Sequence, residues 1–136
     1  GVTAMAGCLG YELDATRLTE EEQETVKGQI RFYKQHQRLI AEGDYYRLTS
    51  PYSDSGLAAW LVVAKDKSGF LLSAVCSRVH GNPPPVHLRL KGLAPSATYT
   101  LNGTPYSGDV LMKAGLVLPP VDGDMPGIQL YAEREE

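Results

Sequence analysis

The chain has 136 residues, 43% of them hydrophobic and 21% charged, with a net charge of −3; these are ordinary globular proportions that suggest neither disorder nor a membrane protein. The length supports one domain with a real core and argues against a second full one. No face is rich enough in Lys and Arg to counter a phosphate backbone, which sets nucleic acid aside as a partner.

In chain order, the small apolar run at residues 2–6 reads as a strand of the kind buried on both faces in parallel sheets. A loop carrying Gly7, Cys8 and Gly10 follows it, and no second strand–helix unit follows to pair with that strand, so it stands orphaned. The next element is a helix. Thr19 is its cap, Glu22 sits three residues later as the capping-box partner, and Glu20, Glu21 and Glu24 fill the positive amino end. Val26, Ile30, Tyr33 and Ile40, with Leu39 beside them, recur at helical spacing, while Lys27, Arg31, Lys34 and Arg38 line the polar face. Burying each apolar side chain is worth about 1.5–3 kcal/mol, so this face requires an apolar surface against it. Gly43 is the expected stop.

From Tyr45 the period becomes alternating, with Pro and Gly at short intervals, the pattern of an antiparallel all-β domain. The domain boundary is placed near Gly43 and Asp44, giving residues 1–43 and 44–136 as two pieces. Strands at 57–65 and 70–79 are joined by a polar turn at 66–69, with Trp60, Val62, Leu72 and Ala74 as core candidates. Val86, Leu88 and Leu90 alternate with His87, Arg89 and Lys91, a strand with one wet face, so His87 is expected to point to solvent. Asn102 and Gly103 favour the positive φ values of a tight type I′ hairpin. Short strands at 110–113, 116–118 and 128–133 bring the total to about eight, the size of a two-sheet sandwich.

Several features that attract attention weaken when weighed. Cys8 and Cys76 lie far apart without close ligand companions, so they read as two buried or half-buried thiols in place of a disulfide framework or a metal site. Three consecutive prolines, Pro83 to Pro85, read as a rigid connection between strands, and Asp122, Gly123 and Asp124 as a solvated turn that lacks the later carboxylate of a calcium loop. Trp60 with Tyr45, Tyr46 and Tyr52 would suit sugar stacking, yet Trp60 sits in an apolar strand and is expected in the core; the tyrosines remain open. Nothing at the start reads as a signal peptide and no apolar run approaches about 18 residues, so no membrane is implied and the cytoplasm is the default compartment.

The segment AMAGCLGYELDATRLTEEE at 4–22 resembles the stretch that closes the catalytic barrel in bacterial α-galactosidases of glycoside hydrolase family 36. The resemblance continues through GDYYRLTSP at 43–51, AWLV at 59–62, Pro83 with Pro84, LRLKGL at 88–93 and GDVLM at 108–112. It implies the last strand and helix of a (β/α)8 barrel followed by a mainly β, antiparallel two-sheet sandwich. A retaining glycosidase needs two carboxyl groups about 5–5.5 Å apart. In the family these are aspartates on earlier barrel strands that have no counterpart here, and Glu12 and Asp14 have the spacing and setting of exposed residues. The separate chain is therefore expected to be inactive, with no catalytic residue, no metal and no cofactor of its own. Gly7, Cys8 and Gly10 form the expected rim of the substrate pocket, the glycines either admitting close approach or merely satisfying a tight turn. Galactosides are expected partners only through the remainder of the barrel. The face of Val26, Ile30, Tyr33 and Ile40 is expected to fold back on the sandwich or to pair two copies. The competing reading is an independent carbohydrate-binding module.

Overall fold

The computed structural model describes residues 1–50, 52, 56–77, 85–119 and 126–135. A 23-residue helix, α1 (Glu20–Glu42), leads into the strands β1 (Asp44–Arg47), β2 (Leu57–Val63), β3 (Gly69–Cys76), β4 (His87–Leu88), β5 (Thr98–Leu101) and β6 (Thr104–Ser107). A short helix, α2 (Gly108–Lys113), then precedes β7 (Leu116–Val117) and β8 (Gly127–Arg134). Six strands form one antiparallel sheet in the order β1-β2-β3-β8-β5-β6, and β4 with β7 forms a second, two-stranded one. The mainly β, two-sheet expectation holds.

The core lies between the sheets. Alternation along β2 and β3 sends Leu57, Ala59, Leu61 and Val63 inward beside Phe70, Leu72 and Ala74. Leu88, Leu90, Leu93, Leu111, Leu116 and Leu118 close over them from the other side. Tyr99 is wholly buried among these residues, its ring 5.5 Å from that of Phe70. Its hydroxyl donates to the Lys67 carbonyl at 3.0 Å and accepts from the Ala94 N–H at 3.1 Å, which satisfies the one polar atom that burial would otherwise penalise. His87 is exposed, as the alternation requires.

The turns follow their residues. Asn102 (φ 50°) and Gly103 (φ 80°) both adopt the left-handed conformation that a type I′ hairpin needs. In the β2–β3 turn it is Lys67 (φ 61°), not the glycine, that turns the chain. Gly69 lies in β3, where a Cβ would come within 2.8 Å of the Ala132 carbonyl oxygen.

Two expected strands are other structures. Residues 2–6 contain a 3-10 turn, Ala4–Ala6, because an isolated parallel strand has no neighbour to take its hydrogen bonds. Residues 110–113 fall within α2. Ser107 caps this helix by accepting from the Val110 N–H at 3.2 Å, and Lys113 pairs with Asp109 one turn earlier at 2.9 Å. Phe70 to Cys76 realises the second hairpin strand, and residues 78–79 of its expected end lie outside the described residues.

Helix α1 starts on the expected capping box. The Thr19 side chain accepts from the Glu22 N–H, and the Glu22 carboxylate accepts from the Thr19 N–H at 2.9 Å. The helix lies on the outer face of the large sheet, where Val62 is 5% and Leu71 2% exposed. No residue of α1 is fully buried, and Val26, Ile30, Tyr33 and Ile40 are all half-buried. Gly43 ends the helix with an ordinary φ of −69°. Glycine is needed there for space: a Cβ would lie 2.5 Å from Val62 Cγ1 and 2.5 Å from the Leu39 carbonyl oxygen.

His36 seals the middle of this seam, its ring 4.2 Å from that of Tyr131 on β8 and 4.5 Å from that of Phe32. Burial lowers the His36 pKa from its ordinary 6.5, against an opposing pull from the Glu133 carboxylate. Burial, with the hydrogen bond to Glu133, pushes the Tyr131 phenol up to about 12. A histidine held neutral in the fold contributes stability that is complete above its unfolded value and is lost as the pH falls through the lower folded one.

Two outcomes follow for urea unfolding. Gly43→Ala should lower stability by about 1–3 kcal/mol through overpacking, read as a lower midpoint at unchanged slope. As pH drops below 6.5, the midpoint of the unaltered chain should decline, and His36→Phe should flatten that decline; an identical pH profile in the variant would refute the role given to His36.

Candidate functional site

The loop expected to border a sugar pocket is open. Gly7, Cys8 and Gly10 are all exposed, and the loop is tied to α1 by the Tyr33 hydroxyl donating to the Gly7 carbonyl at 3.0 Å and, just after it, by the Tyr11 hydroxyl donating to the Gln29 side chain. Neither glycine has a positive φ, and a Cβ on either would meet nothing within 4 Å. The described residues therefore supply no reason, in turn geometry or in crowding, for glycine at these two positions. Cys8 is exposed, which corrects the expectation of half-buried packing: Tyr33 of α1 meets the loop at Gly7, and no described residue covers the thiol. Cys76 is half-buried, as expected.

The nearby carboxylates serve local structure. Asp14 accepts from the Thr16 N–H at 3.0 Å and from the Thr16 hydroxyl at 2.6 Å, capping the 3-10 turn Ala15–Arg17. The hydrogen bonds from Thr16 hold its carboxyl below the usual range, the opposite of what a proton-donating catalytic acid requires. Glu12 is exposed. Among the described residues no group of three or more His, Cys, Asp and Glu side chains could hold a metal ion, and no helix is long and apolar enough to cross a membrane. Asp122 to Asp124 lie outside the described residues, as do Pro83 and Pro84.

Trp60 departs from its expected core position. Its register partners are Arg47 on β1 and Ser73 on β3, and because Ala59 and Leu61 point inward, Trp60 points outward and is half-buried. A strand as uniformly apolar as LAAWLVV carries no alternation in its sequence from which the face could be read. Tyr45, Arg47, Thr49, Ala58 and Trp60 line a shallow depression there, with Tyr45 55% exposed. The Thr49 hydroxyl is already engaged, donating to the Leu57 carbonyl at 2.6 Å and accepting from the Ala59 N–H at 2.8 Å. The other two tyrosines separate: Tyr46 packs on the core beneath Gly92, and Tyr52 is 93% exposed.

The architecture is that of an accessory β-domain with a helical lead-in and an open loop, lacking a catalytic constellation among the described residues. The chain belongs to glycosyl hydrolase family 36: the model of that family's C-terminal domain matches residues 57–131, and the melibiase model matches residues 1–43. It is 44% identical to the bifunctional α-galactosidase/sucrose kinase AgaSK of Mediterraneibacter gnavus over 100% of this chain and 15% of that protein. It is also 44% identical to the α-galactosidase AgaA of Geobacillus stearothermophilus over 88% of this chain and 16% of that protein. The crystal structure of AgaA superimposes with a TM-score of 0.93 at 39% identity, over 98% of this chain and 19% of AgaA. The galactosidase domain of AgaSK gives 0.94 at 40% identity, with the same coverage. The chain thus corresponds to a C-terminal portion of these enzymes and spans less than a fifth of their length.

Proposed function

We propose that this chain is the C-terminal part of a longer α-galactosidase, in which it supports the catalytic barrel and contributes no reacting group. The observation that carries this reading is a match along the whole chain to enzymes about six times longer, combined with carboxylates near the loop that are exposed or tied to local caps. In the longer protein, two carboxyl groups from the preceding polypeptide would perform retaining hydrolysis of terminal α-galactosides. The boundary between barrel remnant and sandwich falls at Gly43 and Asp44, a placement supported by the melibiase match ending at residue 43.

On the same reading, Gly7, Cys8 and Gly10 stand at the rim of the sugar pocket. Barrel enzymes bind substrate at the carboxy ends of their strands, and the space left open at both glycines suits a neighbouring loop or a substrate. The half-buried face of Val26, Ile30, Tyr33 and Ile40 rests on the remainder of the barrel; in the separate chain it is served by fold-back onto the chain itself or by a second copy. A carbohydrate-binding module is the second reading, favoured by the outward position of Trp60 beside Tyr45.

The separate chain should release no nitrophenol from a nitrophenyl α-galactoside, whereas the longer polypeptide should turn it over. Calorimetric titration of the separate chain with raffinose-type sugars should show no heat of binding. Saturable binding in the millimolar range or tighter would favour the module, and turnover by the separate chain would overthrow the support role.

A further inference from the structure

We infer that Gln29 and Tyr33, one turn apart on α1, are positioning residues that clip the loop at residues 7–11 to the helix and thereby fix the rim of the α-galactoside pocket. This rests on the reading that the chain belongs to a longer α-galactosidase, and it names two side chains to which that reading gives no role in binding.

The loop has little of its own to hold it. It lies between two 3-10 turns, Ala4–Ala6 and Ala15–Arg17, and among the described residues no backbone–backbone hydrogen bond reaches residues 7–13. Cys8 and Gly10 are exposed and Leu9 is half-buried, so burial fixes this stretch no better than the backbone does. Two side-chain hydrogen bonds do hold it, and both end on α1. The Tyr33 hydroxyl donates to the Gly7 carbonyl at 3.0 Å, where the loop begins, and the Tyr11 hydroxyl donates to Gln29 Oε1, where it ends. Gln29 and Tyr33 are four residues apart, so they rise from the same side of the helix, and their partners Gly7 and Tyr11 are four apart as well. The loop is gripped at both ends, with Cys8, Leu9 and Gly10 spanning the interval. The bond between Tyr11 and Gln29 is half-buried, which shields it from competing water.

Helix α1 is in turn placed by the sheet. It covers Val62 and Leu71, and at its C-terminal end Gly43 approaches Val62 so closely that a Cβ would lie 2.5 Å from Cγ1. Position therefore passes from sheet to helix to loop through named contacts. A loop left unheld at a pocket rim would have to be ordered each time a sugar binds, and that entropy is subtracted from affinity. Gripping it beforehand lowers KM and leaves the reacting carboxyl groups untouched.

Two measurements together test this. Backbone amide NMR relaxation on the separate chain reads the order of residues 8–10, and α-galactoside kinetics on the longer polypeptide read its consequence. Tyr33→Phe removes one hydroxyl and keeps the ring, and Gln29→Leu removes the other bond's acceptor at similar volume. In each variant the order parameters of residues 8–10 should fall from the rigid range to below about 0.6. KM should rise several-fold, the scale of one intramolecular hydrogen bond, with kcat little changed. Gln29→Glu keeps an acceptor oxygen for the Tyr11 hydroxyl and should recover most of what Gln29→Leu loses, a rescue that lost packing alone would not produce.

Unchanged order at residues 8–10 in both variants would show that these bonds do not hold the loop and would overturn the inference. A loosened loop with KM unaltered in an active enzyme would overturn it too, leaving the α-galactosidase reading intact, as would a fall in kcat at constant KM. Absence of turnover in the unaltered longer polypeptide, seen before any variant is made, would sink the functional reading and the sugar-positioning role with it.

Discussion

Strands β2 and β3 are apolar on both faces, and the rest of the structure is arranged around that constraint. One face is satisfied internally by leucines from the small sheet and its connections, with the Tyr99 hydroxyl bridging the Lys67 carbonyl and the Ala94 amide through the middle. The other face cannot be satisfied by the sandwich alone. It takes α1 over Val62 and Leu71, and the approach is close enough that the helix must end on a residue without a side chain. A two-faced apolar strand is costly to leave uncovered in water, and here covering it ties the sandwich to the segment before it.

What was legible in the sequence was local chemistry. The capping box at Thr19 and Glu22, the Asn102–Gly103 turn and the strands with clear alternation needed nothing beyond their neighbours. What was not legible depended on partners. Residues 2–6 have the composition of a buried parallel strand but no strand to pair with, so they close into a 3-10 turn. Residues 110–113 are apolar enough for a strand, and the signal that would have corrected this was Ser107 followed by Asp109, a cap and an acidic first turn. Trp60 faces outward against its apolar setting, and a uniformly apolar strand has no periodic signal for its face. Gly43 is the stop its place in the sequence suggests, and the reason, its lack of volume against Val62 and the Leu39 carbonyl, lies in the packing.

The same distinction governs the candidate site. The whole-chain resemblance to family 36 was readable because it is spread over several separated motifs, and the family match bears it out. The loop of Gly7, Cys8 and Gly10 shows what isolated local geometry leaves unexplained: glycines with no turn to make and a thiol in the open. The patch at Trp60 is the converse, a surface that no motif announced and that the pairing of β1 with β2 assembles.

The central claim is that the core between the sheets is the most stable part of the fold, and that α1, which covers the outer face without a fully buried residue of its own, is held more weakly. Native-state hydrogen exchange on the separate chain tests it most directly, because amides report the free energy at which their own segment opens. Amides of α1 should exchange through a local opening well below the free energy of global unfolding, while those of β2, β3 and β8 exchange only with it. Equal protection across α1 and the three strands would show one indivisible cooperative unit and contradict the account.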